Sequence, residues 1–266
     1  MAERCVARAR DLLSDLVASA LWIEPSAGDG AFLDALGERF AALDVAPADA
    51  RVVRADFLTW KPSFDGPTIV VGNPPFGRNC SLAVRFFNHA ASFADAIAFV
   101  VPRTFEKESL RRRLDASFWQ VGELELAQDV FELDGALRSV PCSFQIWRRM
   151  TRLRPLVRPA LSHADFAFST RAAADFSFQR VGVNAGVVSK DFSTKASASH
   201  YFIRDLTSDG RVAAILRGID WAPIKSRTAG NPSIGKGELV SAYSAAAVGL
   251  LRKDIATWSG GSESSR

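Results

Sequence analysis

The residues best suited to chemistry are Asn73-Pro74-Pro75-Phe76, which directly follow the apolar run Thr68-Ile69-Val70-Val71. A short β-branched run predicts a buried strand, and two prolines that cannot donate ladder hydrogen bonds end it. Because a residue before proline is held in extended geometry, the carbonyl groups of Asn73 and Pro74 take fixed directions beside an aromatic ring. Such a platform could bind a planar group that carries an NH2. The alternative is a loop start with Phe76 in the core.

A second stretch with chemical potential lies upstream, where Leu21-Trp22-Ile23 predicts a short strand that leads into Glu24-Pro25-Ser26-Ala27-Gly28-Asp29-Gly30. Phe32, Leu33 and Leu36 follow at helical spacing, as in the first βα unit of a Rossmann-like sheet. Glycine permits the tight turn and lets a ligand approach the backbone. No third glycine or Walker lysine marks a pyrophosphate site, and the acidic residues favour a cationic ligand.

The pattern Glu-Pro-x-x-Gly-x-Gly-x-Phe-Leu resembles the cofactor loop of S-adenosylmethionine-dependent methyltransferases, whose ligand carries an ammonium and a sulfonium group. The resemblance covers roughly residues 20–150 and matches amino-group methyltransferases in motif order: Asp44 after the second strand, Asp56-Phe57 after the third and Asn-Pro-Pro-Phe after the fourth. The family's usual upstream aromatic-Thr-Pro segment is missing, and we expect the N-terminal helix to replace it.

The resemblance implies that Asp44 accepts hydrogen bonds from ribose hydroxyls, that Asp56 accepts the adenine amine, and that Phe57 packs on the adenine ring. Spacing alone leaves open that Asp44 and Asp56 are turn residues and Phe57 a core residue. The cofactor-binding residues implied by the resemblance are Glu24, Pro25, Ser26, Ala27, Gly28, Gly30, Phe32, Asp44, Asp56, Phe57 and Asn73.

Strands and helices alternate through the first 150 residues, which predicts a doubly wound, Rossmann-like α/β sheet. Strands are expected at 21–23, 40–45, 51–55, 68–71, 96–102, 121–126 and 141–147, and helices at 4–20, 81–93 and 106–114, with a turn region at 131–135. The helix at 106–114 contains Arg111-Arg112-Arg113, which is either a phosphate contact or a solvated face.

The composition is that of an ordinary globular protein, with 48% hydrophobic and 23% charged residues among 266. No apolar stretch approaches the ~20 residues that span a bilayer, and the start lacks a signal-peptide pattern, so we expect a cytoplasmic protein. The three cysteines and three histidines are scattered, which predicts no metal site.

Charge divides the chain into an acidic and a basic part: residues 1–150 carry a net charge of −3 and residues 151–266 a net charge of +7. We therefore predict a catalytic domain at 1–150, a smaller basic α+β substrate-recognition module at 151–256 and a disordered tail at 257–266. The module either contacts nucleic acid or serves as a lid or dimerisation unit. Its candidate phosphate contacts are Arg180, Lys190, Lys195, His200 and Lys236.

The resemblance implies transfer of a methyl group from S-adenosylmethionine to an exocyclic amine. The basic module favours N6 of adenine in nucleic acid as that amine, with DNA preferred over RNA as the substrate. The catalytic residues would be Asn73, Pro74, Pro75 and Phe76, with two oxygens accepting the amine N–H groups and the ring stacking on the base. The alternatives are adenine N6 or guanine N2 in RNA, a glutamine side chain in protein, and a non-catalytic cofactor-binding adaptor.

Overall fold

A computed structural model describes residues 1–126, 130–133, 136–228 and 230–259. The chain divides into two compact units, Met1–Val157 and Arg158–Arg266. The division lies in the basic connector, shortly after the predicted boundary at residue 150. The last helix extends through residues 257–259 of the segment predicted as a tail, and residues 260–266 lie outside the described residues.

The first unit is built on one large sheet and a hairpin. Its strands are β1 (Leu21–Glu24), β2 (Phe40–Asp44), β3 (Val53–Arg54), β4 (Thr68–Gly72), β5 (Ala96–Pro102), β6 (Phe118–Glu125), β7 (Val130–Leu133), β8 (Ala136–Ser139) and β9 (Cys142–Arg149). Seven strands form the sheet in the order β3-β2-β1-β4-β5-β9-β6, while β7 pairs with β8. The first five in sequence are parallel, and β9 is antiparallel to β5 and β6.

Short helices cover both faces of this sheet: α1 (Ala2–Leu12), α2 (Ser14–Val17), α3 (Leu33–Leu36), α4 (Ser81–Ala90) and α5 (Glu108–Arg111). Residues of α1 and α3 join one core with Trp22, whereas residues of α4 and α5 join the other with Val70. Every residue of β4 and β5 is buried, because central parallel strands are covered on both sides. The predicted doubly wound α/β sheet is thereby confirmed.

Several predicted elements of this unit differ in extent. The helix expected at 4–20 is divided at Leu13 into α1 and α2. The helix expected at 106–114 is a 3-10 turn at Arg103–Glu106 followed by α5, because Lys107 is extended (φ −73°, ψ 131°) and interrupts it. The turn region expected at 131–135 begins with strand residues, since residues 131–133 belong to β7. Residues 134–135 lie outside the described residues.

The second unit contains an antiparallel sheet and three helices. Its strands are β10 (Phe166–Ser169), β11 (Phe176–Gln179), β12 (Val188–Ser189) and β13 (His200–Asp205), and its helices are α6 (Val212–Arg217), α7 (Ala222–Lys225) and α8 (Lys236–Ser259). The strand order is β10-β13-β11-β12. Aromatic side chains such as Phe178 and Tyr243 fill its core. Among the described residues, no helix is both long and apolar enough to cross a membrane.

Candidate active site at the ends of β1 and β4

The sheet brings the two sequence motifs together. Because β1 and β4 are parallel neighbours, paired at Ile23 and Val70, the loops that follow them leave the same edge. We call residues 24–30 the acidic loop and residues 73–80 the amide loop. The Ser26 hydroxyl donates a hydrogen bond to the Asn73 carbonyl oxygen at 3.1 Å, which joins the two loops directly.

Gly72, the last residue of β4, was not singled out in the sequence, although it stands between the apolar run and Asn73. A Cβ atom at this position would lie 3.1 Å from Cγ of Glu24 and 3.5 Å from Cδ of Pro25. Its φ of +149° is also one that side-chain-bearing residues rarely adopt. Gly72 is therefore what lets the end of β4 lie against the acidic loop.

Asp44, at the end of β2, holds the acidic loop in place. One carboxylate oxygen accepts the Gly28 N–H at 2.9 Å, and the other accepts the Ala46 N–H at 2.8 Å. Gly28 adopts a φ of +54°, which the turn requires. Each carboxylate oxygen has two lone pairs, so Asp44 can accept further hydrogen bonds from a ligand at this edge.

Glu24 is a buried acid with an unused acceptor. Its side chain is 2% exposed, and Oε2 has no hydrogen-bond partner among the described residues. Burial, together with the nearby charges of Asp29 and Asp44, raises the pKa of Glu24 to about 8. Buried polar atoms are normally paired, so an orphaned carboxyl oxygen at a strand end indicates a site for a ligand. In its ionised form this carboxyl group would favour a cation.

Asn73 presents a second unused acceptor, but a neutral one. Its Oδ1 atom is buried and has no partner among the described residues. Pro74 is buried, Pro75 is exposed, and Phe76 is half-buried, packed against both cores. The Phe76 carbonyl accepts the N–H groups of Leu82 at 3.1 Å and Ala83 at 3.3 Å, which fixes the amide loop to the start of α4.

Two of the predicted cofactor residues, Phe57 and Phe32, are buried in the core, whereas Asp56 is exposed. Phe57 is 1% exposed, and its ring centroid lies 5.3 Å from Phe86 and 4.9 Å from His89. Phe32 is 2% exposed and belongs to the core under α3. Neither ring therefore offers a face to an adenine, so the packing role given to Phe57 is corrected to a core role. Asp56 is exposed and accepts the Leu58 N–H at 2.9 Å.

The five cations predicted in the second unit divide into two groups. The Arg180 guanidinium lies 5.1 Å from the Tyr201 ring, and Lys236 Nζ lies 5.9 Å from the same ring and 4.5 Å from Phe168. We call these four residues the cation–aromatic cluster. Arg180 Nε is buried and has no partner among the described residues.

The other three cations lie outside this cluster, two of them in the connection from β12 to β13 and the third at the start of β13. Lys190 is exposed, and the Lys195 carbonyl accepts a hydrogen bond from Arg171. Burial lowers the pKa of the His200 imidazole, which disfavours its charged form. Within the described residues, no group of three or more His, Cys, Asp or Glu side chains could hold a metal ion.

No family model and no curated protein matches the sequence. Similar solved structures include a proposed RNA methyltransferase from Pyrococcus horikoshii, with 16% identity over 57% of this chain and 83% of that one and a TM-score of 0.42. The 23S rRNA methyltransferase ErmE gives 20% identity, coverage of 60% and 70%, and a TM-score of 0.41.

The N-methyltransferase NodS from Bradyrhizobium japonicum WM9, solved in complex with S-adenosyl-L-homocysteine, gives 12% identity, coverage of 54% and 86%, and a TM-score of 0.37. Because all three TM-scores are below 0.5, the proposal that follows depends on the residues of this chain and not on these similarities.

Proposed function

We propose that this protein transfers a methyl group from S-adenosylmethionine to an exocyclic amine, N6 of adenine in nucleic acid, with DNA as the preferred polymer. The observation that supports it best is the pair of buried, unpartnered oxygens at neighbouring strand ends, Glu24 Oε2 and Asn73 Oδ1. The first suits a cation and the second suits an N–H donor. The Ser26–Asn73 hydrogen bond keeps the two half-sites adjacent.

The acidic loop would hold the cofactor. When bound, the cofactor supplies an electrophilic methyl group on a positively charged sulfur. Glu24 ionises toward the cationic groups, Asp44 accepts the ribose hydroxyls, and exposed Asp56 accepts the adenine amine. Pro25, Ser26, Ala27, Gly28 and Gly30 form the backbone wall of this half-site, and Phe32 and Phe57 support it from the core.

The amide loop would hold the acceptor amine. The nitrogen of adenine N6 is a poor nucleophile, since its lone pair is delocalised into the ring. Asn73 Oδ1 and the Pro74 carbonyl accept its two N–H groups and favour the tetrahedral, positively charged nitrogen that develops during transfer. The nitrogen–carbon bond would form as the carbon–sulfur bond breaks, and the methylated nitrogen would then release one proton to water. Phe76 stacks on the base, and Pro75 keeps the ring and the acceptors in fixed relation. In a duplex the base must first be flipped out of the stack.

The basic second unit favours nucleic acid over protein as the substrate. Residues 158–266, which form this unit, carry a net charge of +5, and the cation–aromatic cluster combines positive charge with rings. RNA, as adenine N6 or guanine N2, is the alternative polymer, and a protein glutamine amide is the alternative acceptor. The unpartnered Asn73 oxygen argues against a non-catalytic adaptor, which has no use for it.

The test is incubation of the full chain with methyl-labelled cofactor and separate DNA, RNA and protein pools, followed by mass spectrometry of the labelled residue. We expect N6-methyladenine in DNA. Label found only in RNA or only in glutamine would transfer the assignment to that alternative. Cofactor binding without transfer to any pool would leave the adaptor function.

The role of the second unit is tested by neutralising the cation–aromatic cluster. Arg180→Gln with Lys236→Gln should weaken oligonucleotide binding and reduce its salt slope by about 1.4–1.8, at roughly 0.7–0.9 for each phosphate that the protein no longer neutralises. Lys190→Gln with Lys195→Gln is the matched control of equal charge, for which we expect a smaller change. A larger change in salt slope for the Lys190/Lys195 variant than for the Arg180/Lys236 variant would place the nucleic-acid-binding surface in the connection from β12 to β13.

A further inference from the structure

The three consecutive arginines Arg111, Arg112 and Arg113 have different roles in the structure. The sequence alone allowed either a phosphate contact or a solvated helix face for all three. Arg111 is structural, because its guanidinium donates to the Gln120 side chain and lies 5.7 Å from the Trp147 ring. Arg112 and Arg113 are exposed. Arg113 reaches the amide loop, where Nη1 donates to the Asn79 carbonyl at 3.4 Å.

The amide loop curls tightly beyond Phe76. Gly77, Asn79 and Cys80 all have positive φ angles, of 66°, 53° and 58°, and the Cys80 N–H returns to the Gly77 carbonyl at 3.2 Å. A non-glycine residue in this region costs about 1–2 kcal/mol, so neighbouring contacts must hold the curl. The hydrogen bonds from α4 to the Phe76 carbonyl hold one end, and Arg113 holds the other.

This curl places Arg78 on the exposed outer side of the loop, two residues after Phe76. No hydrogen bond or ion pair of its side chain is found among the described residues. Arg78 and Arg113 therefore place two positive charges next to the proposed base-binding platform.

We propose that Arg78 and Arg113 bind phosphodiester oxygens on either side of the nucleotide whose base occupies the Asn73–Phe76 platform. Each guanidinium presents five N–H donors in a planar fork that matches phosphate oxygens, and Arg113 uses one of them in its hydrogen bond to Asn79. A base held by Asn73 keeps its own phosphates close to the amide loop, which carries Arg78 and which Arg113 contacts at Asn79. The inference rests on the proposed function and adds a backbone contact within the catalytic unit itself.

The experiment measures the affinity of the full chain for fluorescent oligonucleotides, both DNA and RNA and both single- and double-stranded, from 50 to 300 mM salt. Arg78→Gln with Arg113→Gln should lower the salt slope by about 1.4–1.8, which corresponds to an affinity loss of tenfold or more near 100 mM salt. Cofactor affinity should stay unchanged. The DNA and RNA arms identify which polymer supplies the phosphates.

Three further variants separate a phosphate contact from other effects. Arg4→Gln removes an exposed charge from α1 on the opposite face of the sheet and should leave the slope unchanged. Arg78→Lys with Arg113→Lys keeps the charge and should retain most of the slope. Arg78→Gln alone breaks no hydrogen bond or ion pair among the described residues, so it should fold normally and still lower the slope by about 0.7–0.9.

An unchanged slope in Arg78→Gln and in the double variant, with nucleic-acid methylation retained in both, would overturn the phosphate contact and leave the proposed function standing. A wild-type chain that methylates only protein would overturn the proposed substrate, and the phosphate contact with it. A slope lowered equally by Arg4→Gln would show a general charge effect and also overturn the inference.

Discussion

The acidic loop and the amide loop follow neighbouring buried strands, and each leaves one buried oxygen without a partner in the described part of the chain, yet they are built differently. The acidic loop is held by a side chain from another strand, Asp44, and its unpartnered group is a titratable acid. The amide loop is held by its own prolines and by α4, and its unpartnered group cannot ionise. The sheet thus positions both sites, while residue type decides which charge each one accepts.

Removing the neutral acceptor should have the largest effect on turnover. We expect Asn73→Ala to lower kcat by about 10²–10³-fold, because the variant loses a preorganised hydrogen-bond acceptor that stabilises the positive charge developing on the nitrogen. Cofactor affinity should stay within a few-fold, since the acidic loop is untouched. Single-turnover transfer and calorimetric cofactor binding measure the two quantities. Wild-type transfer in this variant would remove Asn73 from its proposed role.

Removing the titratable acceptor should instead alter cofactor binding and its pH dependence. The carboxyl pKa of Glu24 is about 8, so below that pH the binding of a cationic ligand is coupled to the loss of the Glu24 proton. Affinity should rise about tenfold per pH unit from pH 6 to 8 and level off above, and Glu24→Gln should abolish this rise. Calorimetry across that range checks it, with exposed Asp11→Asn on α1 as the control.

The same group predicts an opposite trend for the stability of the ligand-free protein. Folding raises the pKa of Glu24 from 4.5 to about 8, so the folded state binds its proton more tightly than the unfolded state. The stability that this provides is fully present below pH 4.5 and is lost as the pH rises through 8. Urea unfolding at pH 5, 7 and 9 should show a decline that is smaller in Glu24→Gln.

The glycines of the two loops should differ in their tolerance of a methyl group. Gly28→Ala meets no atom within 4 Å, so it should cost only the left-handed backbone strain of about 1–2 kcal/mol. Gly77→Ala carries similar strain and also brings Cβ to 2.8 Å from Leu82 Cβ and 3.1 Å from the Leu82 backbone N. We expect it to cost roughly 1–3 kcal/mol more in unfolding free energy. Equal losses of unfolding free energy for Gly28→Ala and Gly77→Ala in urea titrations would contradict the predicted difference between the two loops.

Local pattern predicted the strands well where burial is continuous. β5 was expected at 96–102 and lies at Ala96–Pro102, because a fully apolar run between polar ends has one natural extent. The helix expected from the spacing of Phe32, Leu33 and Leu36 lies at Leu33–Leu36, whereas the four-residue helix α7 is too short to produce a periodic pattern. The turn region predicted at 131–135 was too long, because residues 131–133 belong to β7 and Leu133 pairs with Ala136 of β8.

Contacts between distant residues were not predictable from spacing. The role of Phe57 was decided by Phe86 and His89, which α4 supplies from about 30 positions further along the chain. The Ser26–Asn73 hydrogen bond joins residues 47 positions apart. The sequence predicted which residues carry the chemistry, whereas the sheet order decided which of them meet and which enter the core.

Gly72 has a consequence for how this site can change over evolutionary time. The gap between the two half-sites is set by a missing side chain, because any Cβ at position 72 meets Glu24 and Pro25. Residues 24 and 72 are therefore coupled: a side chain at 72 requires Glu24 to shift by a few tenths of an ångström or to be replaced by a smaller acid such as aspartate. We expect substitutions at Gly72 to coincide with changes at Glu24 across related sequences.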